Sequence, residues 1–524
     1  MTEEAITPSD DAAAGGNRRR EWITMGAILV VMGVVMTVVR RPGHWWGDDW
    51  ALYIRQADAL VHGTVRRVAD ANAFTVSMSQ GAPFSPPIYP WGYPIMLAPF
   101  VAVLGIDVDA LAIVTVLSAL AAGVGWYLLA RRRLGMVPAM VGMVAVTWSP
   151  LLFTWVELIQ SELPFLGVTM LALAGLDRVA QRHALFGSRA RWWVLALVGV
   201  GVAASFSVRR EGLGMVAALG AAQLSALVAT QAWRRYRGPA RWRVIAQLAT
   251  PFGSALGVVL AIQVLLPTTV VPRYSGTSIA NTWRFGVKHL SHLAQLIGLR
   301  KPWAPEPAIF GAPGLGWMAF GVIFAFALVG MGLAFRINRT RDLHLVAYGV
   351  VAFAIGGSFM YANHRYVVTV APLVTLLSLS ALWWTIDQLS HRRAATVAVV
   401  AALIPIVASN GWFAWQRLET TRELAADGTI EWGPTHPDAI AMFEAVEELT
   451  PPRAVVGAPK ARAMGLMTGR PTVQVDQYRP IPTEITVAYV VAELSSPVPS
   501  TLTDAGYDLI WSNMRFGLWQ LADD

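Results

Sequence analysis

Eleven stretches of this chain are apolar for long enough to cross a lipid bilayer, and compact groups of arginine sit in the connections between them. A bilayer core offers no hydrogen-bond partners, so each crossing must satisfy its own backbone, which in a chain of this pattern means one helix per span. Composition agrees, with 55% apolar residues, only 14% charged and a mean hydropathy of +0.48. The predicted class is an α-helical polytopic membrane protein in the cell membrane. The net charge of +8 lies largely in the short loops, where it reports topology; a nucleic-acid partner is not expected. The absence of cysteine excludes disulfides, thiolate metal sites and a cysteine nucleophile.

The runs fall at about 22–39, 108–130, 135–154, 162–180, 192–208, 212–232, 244–265, 314–335, 343–361, 366–387 and 394–414. Arranged this way, every compact basic cluster lands on one side. These are Arg131 to Arg133; Arg178, Arg182, Arg189 and Arg191; Arg234, Arg235, Arg237, Arg241 and Arg243; Arg336, Arg339 and Arg341; and Arg392 with Arg393. Positive charge marks the cytoplasmic face. The N-terminus is then cytoplasmic, with residues 1–21 a disordered tail lacking any packing pattern, and residues 22–415 form the transmembrane domain.

Two segments stand on the other, extracytoplasmic face. Residues 42–106 form a first loop, in which Trp50, Tyr53, Ile54, Ala57 and Val61 recur at helical spacing. A proline-rich turn through Pro83, Pro86, Pro87 and Pro90 follows, then an apolar piece, Gly92 to Leu104, too short to span comfortably and expected to be an interfacial or re-entrant segment. After Trp415 charge, proline and glycine return. Residues 425–524 are predicted to form a small α/β domain, with an amphipathic helix over 437–449 and strands at 453–457, 472–475, 485–491, 507–511 and 515–521.

The ionisable groups cluster outside the apolar runs, on this second face. Asp48 and Asp49 lie side by side next to an apolar slab, where low dielectric and mutual repulsion both oppose ionisation. One of them could cap the following helix; the functional alternative is a general base that takes a proton from a substrate hydroxyl. Glu162 stands at the mouth of a span. Arg209, Arg210, His364 and Arg365, with Tyr366, also sit at outer span ends, against the usual preference of arginine for the inner side, and such groups can bind a phosphate. Tyr89 and Trp91, within Tyr89-Pro90-Trp91-Gly92-Tyr93-Pro94, form an aromatic wall or an interfacial belt. Neither a strong metal-ligand spacing nor a Walker-type phosphate loop is present in the sequence.

The order of these features resembles the GT-C glycosyltransferases of the protein-mannosyltransferase and aminoarabinose-transferase type, especially the bacterial branch with an RgtA/B/C/D-like domain. Carrying the resemblance are Gly47-Asp48-Asp49 and Tyr53 after the first span, Pro86 to Pro94 before the second, Ser161-Glu162-Leu163-Pro164 opening the fourth, and Arg365-Tyr366 before a late span. Thr468-Gly469-Arg470-Pro471 and Arg515-Phe516 resemble the small extracytoplasmic domain that ends some members. The glycine matches the family's acidic motif at Asp48, whereas the spacing to the tyrosine matches it at Asp49. What the resemblance implies is transfer of a sugar from a polyprenyl-phosphate donor to a glycan, lipid or protein acceptor of the cell envelope. It implies inversion at the anomeric carbon and an Asp base. No cofactor is required by this reading, which leaves room for a divalent metal.

Two other classes compete. A lipid-linked-sugar flippase or transporter predicts polar groups midway along spans, of which Gln223 and Gln263 are the few candidates. A non-catalytic envelope assembly protein predicts that the paired aspartates are dispensable.

Overall fold

A computed structural model describes residues 8–80, 85–267, 278–301, 304–336, 342–359, 363–430, 433–475, 487–496 and 498–522. Residues 1–7, Pro83, Arg339, Arg341 and the first two positions of the strand expected over 485–491 lie outside the described residues. Each of the eleven apolar runs contains helix. Among the described residues seven helices are long and apolar enough to cross a membrane. An eighth follows if Met136–Thr147 and Pro150–Val156, which meet at a 57° bend, count as one broken span. The other three runs form Trp192–Val208, Leu343–Gly357 and Ala371–Leu389, which are shorter or less apolar. The chain is a multi-pass membrane protein.

Two expectations about helix limits change. The first helix runs from Pro8 to Val38, so the Ala-rich stretch before the span at Arg19 is helical, as the high helix propensity of alanine allows. The last long helix does not stop near Trp415 but continues from Arg392 to Ala426. Its polar half is held after the apolar half ends: Arg417 Nη2 donates to Glu157 Oε2 at 2.5 Å, and Thr421 Oγ1 donates to the Val39 carbonyl.

Close helix contacts set the position of Glu162. Helices Ile113–Leu134 and Glu162–Gln181 pack together at small residues. A Cβ on Gly125 would lie 2.5 Å from the Met170 carbonyl carbon, and one on Gly167 would lie 2.6 Å from the Ser118 carbonyl oxygen. Without hydrophobic pressure between helices in lipid, such close approach supplies the packing. At the end away from Glu162 the same two helices are tied by ion pairs. Arg132 Nη1 and Arg133 Nη2 reach Asp177 at 2.6 and 2.9 Å, Arg133 also reaches Asp342, and Arg131 pairs with Glu21. The Arg131–Arg133 cluster is therefore structural as well as topological.

At the other end the first loop folds into helices Asp49–His62, Val65–Met78 and Gly92–Leu104. Trp50, Leu52, Tyr53, Ile54 and Ala57 are buried there. They share one apolar core with Tyr93, Leu97 and Phe165 and with residues from the end of the chain, Met442, Phe443, Met464 and Phe516. Those late residues belong to an α/β unit. Helix Pro437–Leu449 packs on a five-stranded sheet whose strands, in spatial order, are Thr472–Gln474, Val456–Ala458, Tyr489–Glu493, Phe516–Leu521 and Tyr507–Ser512. The first three run parallel and the last two pair antiparallel. Helix Ala461–Thr468 lies between the sheet and helix Asp49–His62, so the α/β unit is seated on the first loop.

Candidate active site

The adjacent aspartates face different partners. Asp48 does not cap its own helix. Its Oδ1 accepts from the backbone N–H groups of Arg462 and Ala463 at 3.1 and 3.3 Å, in the first turn of helix Ala461–Thr468. A carboxylate on free N–H groups at a helix N-terminus is a cap supplied from a distant part of the chain. The expectation that Asp48 caps the helix following it is thus not met; the side chain caps a distant helix instead. Asp49, one residue on, turns inward: Tyr89 Oη donates to its Oδ1 at 2.5 Å and Arg365 Nη2 donates to its Oδ2 at 3.2 Å.

Arg365 joins Asp49 to Glu162. Its Nε donates to Glu162 Oε1 at 2.7 Å, so both carboxylates lie within hydrogen-bond reach of one guanidinium. The Glu162 oxygen also accepts from Arg209 Nη1 at 2.5 Å, and Arg209 in turn pairs with Glu211 at 2.7 Å. Arg365 thus pairs with two carboxylates that lie far from it in sequence. Ser161 Oγ accepts from Tyr53 and Arg209, at 3.0 and 3.1 Å. Glu162 is buried, and its Oε2 has no hydrogen-bond partner among the described residues, whereas the Asp49 side chain is 26% exposed. Of the two carboxylates, Asp49 is the one that an incoming group can reach.

Charge divides the aspartates further. Burial raises the Asp49 carboxyl, but Arg365 and Arg462 outweigh it and hold the group below the usual carboxylate range. Burial raises Asp48 as well, and there Arg462 fails to offset it while the Asp49 charge adds to the rise. Asp49 is therefore the member whose ionised form the surroundings favour more. Replacing Arg365 by Gln removes the largest stabilising charge and leaves burial to act, so the acid limb of any Asp49-dependent activity is expected to move to higher pH. A pH–rate profile of Arg365→Gln with an unmoved acid limb would separate Asp49 from that limb.

The remaining sequence candidates divide. Tyr89 belongs to the site: its ring stacks on Tyr53 with centroids 4.9 Å apart. Trp91 does not, because its indole donates to the Pro267 carbonyl at 2.6 Å and packs with Ala69 and Ile88, fastening the loop to the end of a span. Arg210 stacks over Phe206 at 4.5 Å. His364 lies against the Trp155 ring at 4.9 Å and is pushed down to about 4 by burial, so it is neutral at physiological pH. Tyr366 stacks on Phe359 at 4.4 Å, with rings nearly parallel. Arg470 holds the end of helix Pro437–Leu449 through the Glu447 and Thr450 carbonyls, and Arg515 lies 3.7 Å from Asp438; both are structural.

Arg462 is the site residue that sequence reasoning missed. It is fully buried at 1% exposure, although it comes from the α/β unit. Its Nε donates to Asn72 Oδ1 at 2.9 Å, Nη1 to Tyr89 Oη at 3.0 Å and Nη2 to Ser85 Oγ at 2.6 Å. Asp49 Oδ1 is 3.8 Å and Asp48 Oδ2 3.9 Å away. Its only local signal is a lone charge in a short, mostly apolar helix.

Among the described residues no three His, Asp or Glu side chains converge as metal ligands. Arg365 stands between Asp49 and Glu162 where a bridging cation would, so these residues do not fit a metal-binding pair.

Fold and site together define a polytopic membrane protein with an acid–arginine centre at one end of its helices, covered by a small α/β unit. Residues 85–253 match the dolichyl-phosphate-mannose-protein mannosyltransferase family. The match spans about a third of the chain, and the solved structures that follow are similar to the chain in fold. The structure of ArnT from Cupriavidus metallidurans bound to undecaprenyl phosphate aligns over 96% of this chain and 98% of that one, with a TM-score of 0.53 and 13% identity. AglB from Archaeoglobus fulgidus, in complex with an inhibitory peptide and a dolichol-phosphate, aligns over 90% of this chain and 69% of its own at TM-score 0.54 and 12% identity. The arabinofuranosyltransferase AftD from Mycobacteria covers 96% of this chain and 40% of its own, at TM-score 0.54 and 12% identity. No curated protein sequence matches the chain.

Proposed function

We propose that this protein transfers a sugar from a polyprenyl-phosphate donor to an acceptor hydroxyl of the cell envelope, with Asp49 as the general base. The observation that carries the reading is the Asp49–Arg365–Glu162 bridge. It holds a partly exposed carboxylate against a half-buried arginine pair at the end of the spans. In the reaction the acceptor O–H gives its proton to Asp49 and the oxygen attacks the anomeric carbon. The bond from that carbon to the phosphate oxygen breaks, and its electron pair leaves with the phosphate. Attack from the face opposite the leaving group inverts the centre. Arg365 and Arg209 are the cations nearest to Asp49 and Glu162 that could stabilise charge on the departing phosphate. The solved neighbours that hold undecaprenyl phosphate and dolichol-phosphate favour a lipid-phosphate donor. A transporter reading is weakened by Gln223, whose amide donates to the Leu248 carbonyl and so ties two helices together.

The proposed topology has eleven spans, the N-terminus inside, and the α/β unit from about residue 425 as an extracytoplasmic domain. The chain has no cysteine, so a single Glu448→Cys variant reports one position. Glu448 is exposed, and an impermeant maleimide is expected to label it in intact cells. Labelling only after permeabilisation would reverse the orientation. Purified protein assayed with a panel of polyprenyl-phosphate sugars tests the activity itself; failure of every donor, with the fold intact, would sink the transferase reading.

A further inference from the structure

A second charged feature lies about one helix length from Asp49. Helix Glu162–Gln181 begins at the candidate active site, and its other end, with the start of helix Trp192–Val208, walls a cavity of about 630 Å³. Arg178 lines it from the first helix and Arg182 from that helix's C-terminal cap, and Arg189 and Arg191 line it from the connection between the two. Among the described residues none of these four makes an ion pair, in contrast to Arg131, Arg132 and Arg133 close by in the fold. Arg191 sits at the start of helix Trp192–Val208, whose first N–H groups no side chain caps. Four unpaired guanidinium groups and a helix N-terminus make a strongly anion-attracting mouth.

The walls beyond the mouth are apolar and face outward. Leu171 is 41%, Trp193 61% and Leu197 57% exposed, which in a membrane means contact with acyl chains. A Cβ at Gly175, between them, would meet nothing within 4 Å, so the groove is open there. An anionic head and an aliphatic tail are the two chemistries that this surface meets together. We propose that the groove binds an acidic glycerophospholipid of the bilayer, its phosphate on Arg178, Arg182, Arg189 and Arg191 and one acyl chain along Leu171, Gly175 and Leu197. The site is separate from the Asp49 centre and does not depend on the reaction proposed for it.

The test uses full-length protein in phosphatidylcholine nanodiscs doped with phosphatidylglycerol, reading the affinity for labelled phosphatidylglycerol. Arg178→Gln with Arg182→Gln is expected to weaken it about thirtyfold, and Arg189→Gln with Arg191→Gln similarly, since each arginine near a membrane surface contributes about fivefold. Arg241→Gln with Arg243→Gln, which removes two exposed arginines of another cluster, should change it less than twofold. Gly175→Leu keeps every charge but fills the groove, and should weaken binding too. Millimolar inorganic phosphate should fail to displace the lipid. An unchanged affinity in both groove pairs, an equal loss in the Arg241/Arg243 control, or displacement by phosphate alone would overturn the assignment. A thermal melt of each variant equal to that of the parent certifies that the comparison is made on folded protein.

Discussion

Asp49→Asn is expected to lower sugar transfer by a factor of about 10² to 10⁴, the usual cost of losing a general base, while donor binding and thermal stability stay close to the parent. Asparagine keeps the volume and one acceptor oxygen, so the hydrogen bond from Tyr89 Oη to Oδ1 survives. What is lost is the group that can take the acceptor proton. Asp48→Asn is the contrast. Its retained oxygen can still accept from the Arg462 and Ala463 N–H groups, so transfer should fall far less. Asp48→Ala removes that cap and should cost about 1 kcal/mol of stability. Initial rates with a polyprenyl-phosphate sugar, alongside melting curves, separate the two positions. Equal losses of rate in Asp48→Asn and Asp49→Asn would refute the division of roles, and near-normal transfer by Asp49→Asn would remove the base.

Arg462→Met should destabilise the protein by about 3 to 5 kcal/mol, the range found when one member of a buried charged network is removed. Methionine fills much of the space but leaves Asn72 Oδ1, Ser85 and Tyr89 without their donor and takes from Asp48 the cation 3.9 Å away, while Asp49 keeps Arg365 at 3.2 Å. The loss should be seated where the α/β unit meets the first loop, since Arg462 and the Asp48 cap are among its polar ties and Trp46, Phe443 and Phe516 among its apolar ones. Hydrogen exchange is therefore expected to rise first in helices Ala461–Thr468 and Asp49–His62. Arg462→Lys should recover little, because one ammonium cannot reproduce three forked donor contacts. An Arg462→Met protein that melts with the parent and keeps its exchange pattern would show that the guanidinium is not needed there.

Much of this architecture was legible in the sequence because membrane burial is a local demand. An apolar run must be a helix whatever surrounds it, and charge beside it reads the side of the membrane. The helix over Pro437–Leu449 and the strand Phe516–Leu521 likewise follow from periodicities contained in their own residues. Asp49, Glu162, Arg209 and Arg365 could be singled out because a charge at the edge of a low-dielectric slab is costly unless it is used or paired. Their pairing could not be read. Arg365 lies 316 residues from Asp49 and 203 from Glu162, and no local pattern states that one guanidinium bridges both.

Tertiary structure decided the division of labour between Asp48 and Asp49, which sequence spacing left open. Two residues identical in type and adjacent in the chain differ only in what the rest of the molecule brings to them. For Asp48 that is a distant helix N-terminus; for Asp49 it is Tyr89 and Arg365. It also removed Trp91 from the site and put Arg462 into it, since burial among partners hundreds of residues away is a property of packing. Sequence by itself determined which segments are apolar helices and which residues carry costly charge, because transfer free energy is set residue by residue. Which charges meet was left to the tertiary structure, because Coulomb and hydrogen-bond energies depend on distances that only the packed helices and the seated α/β unit fix.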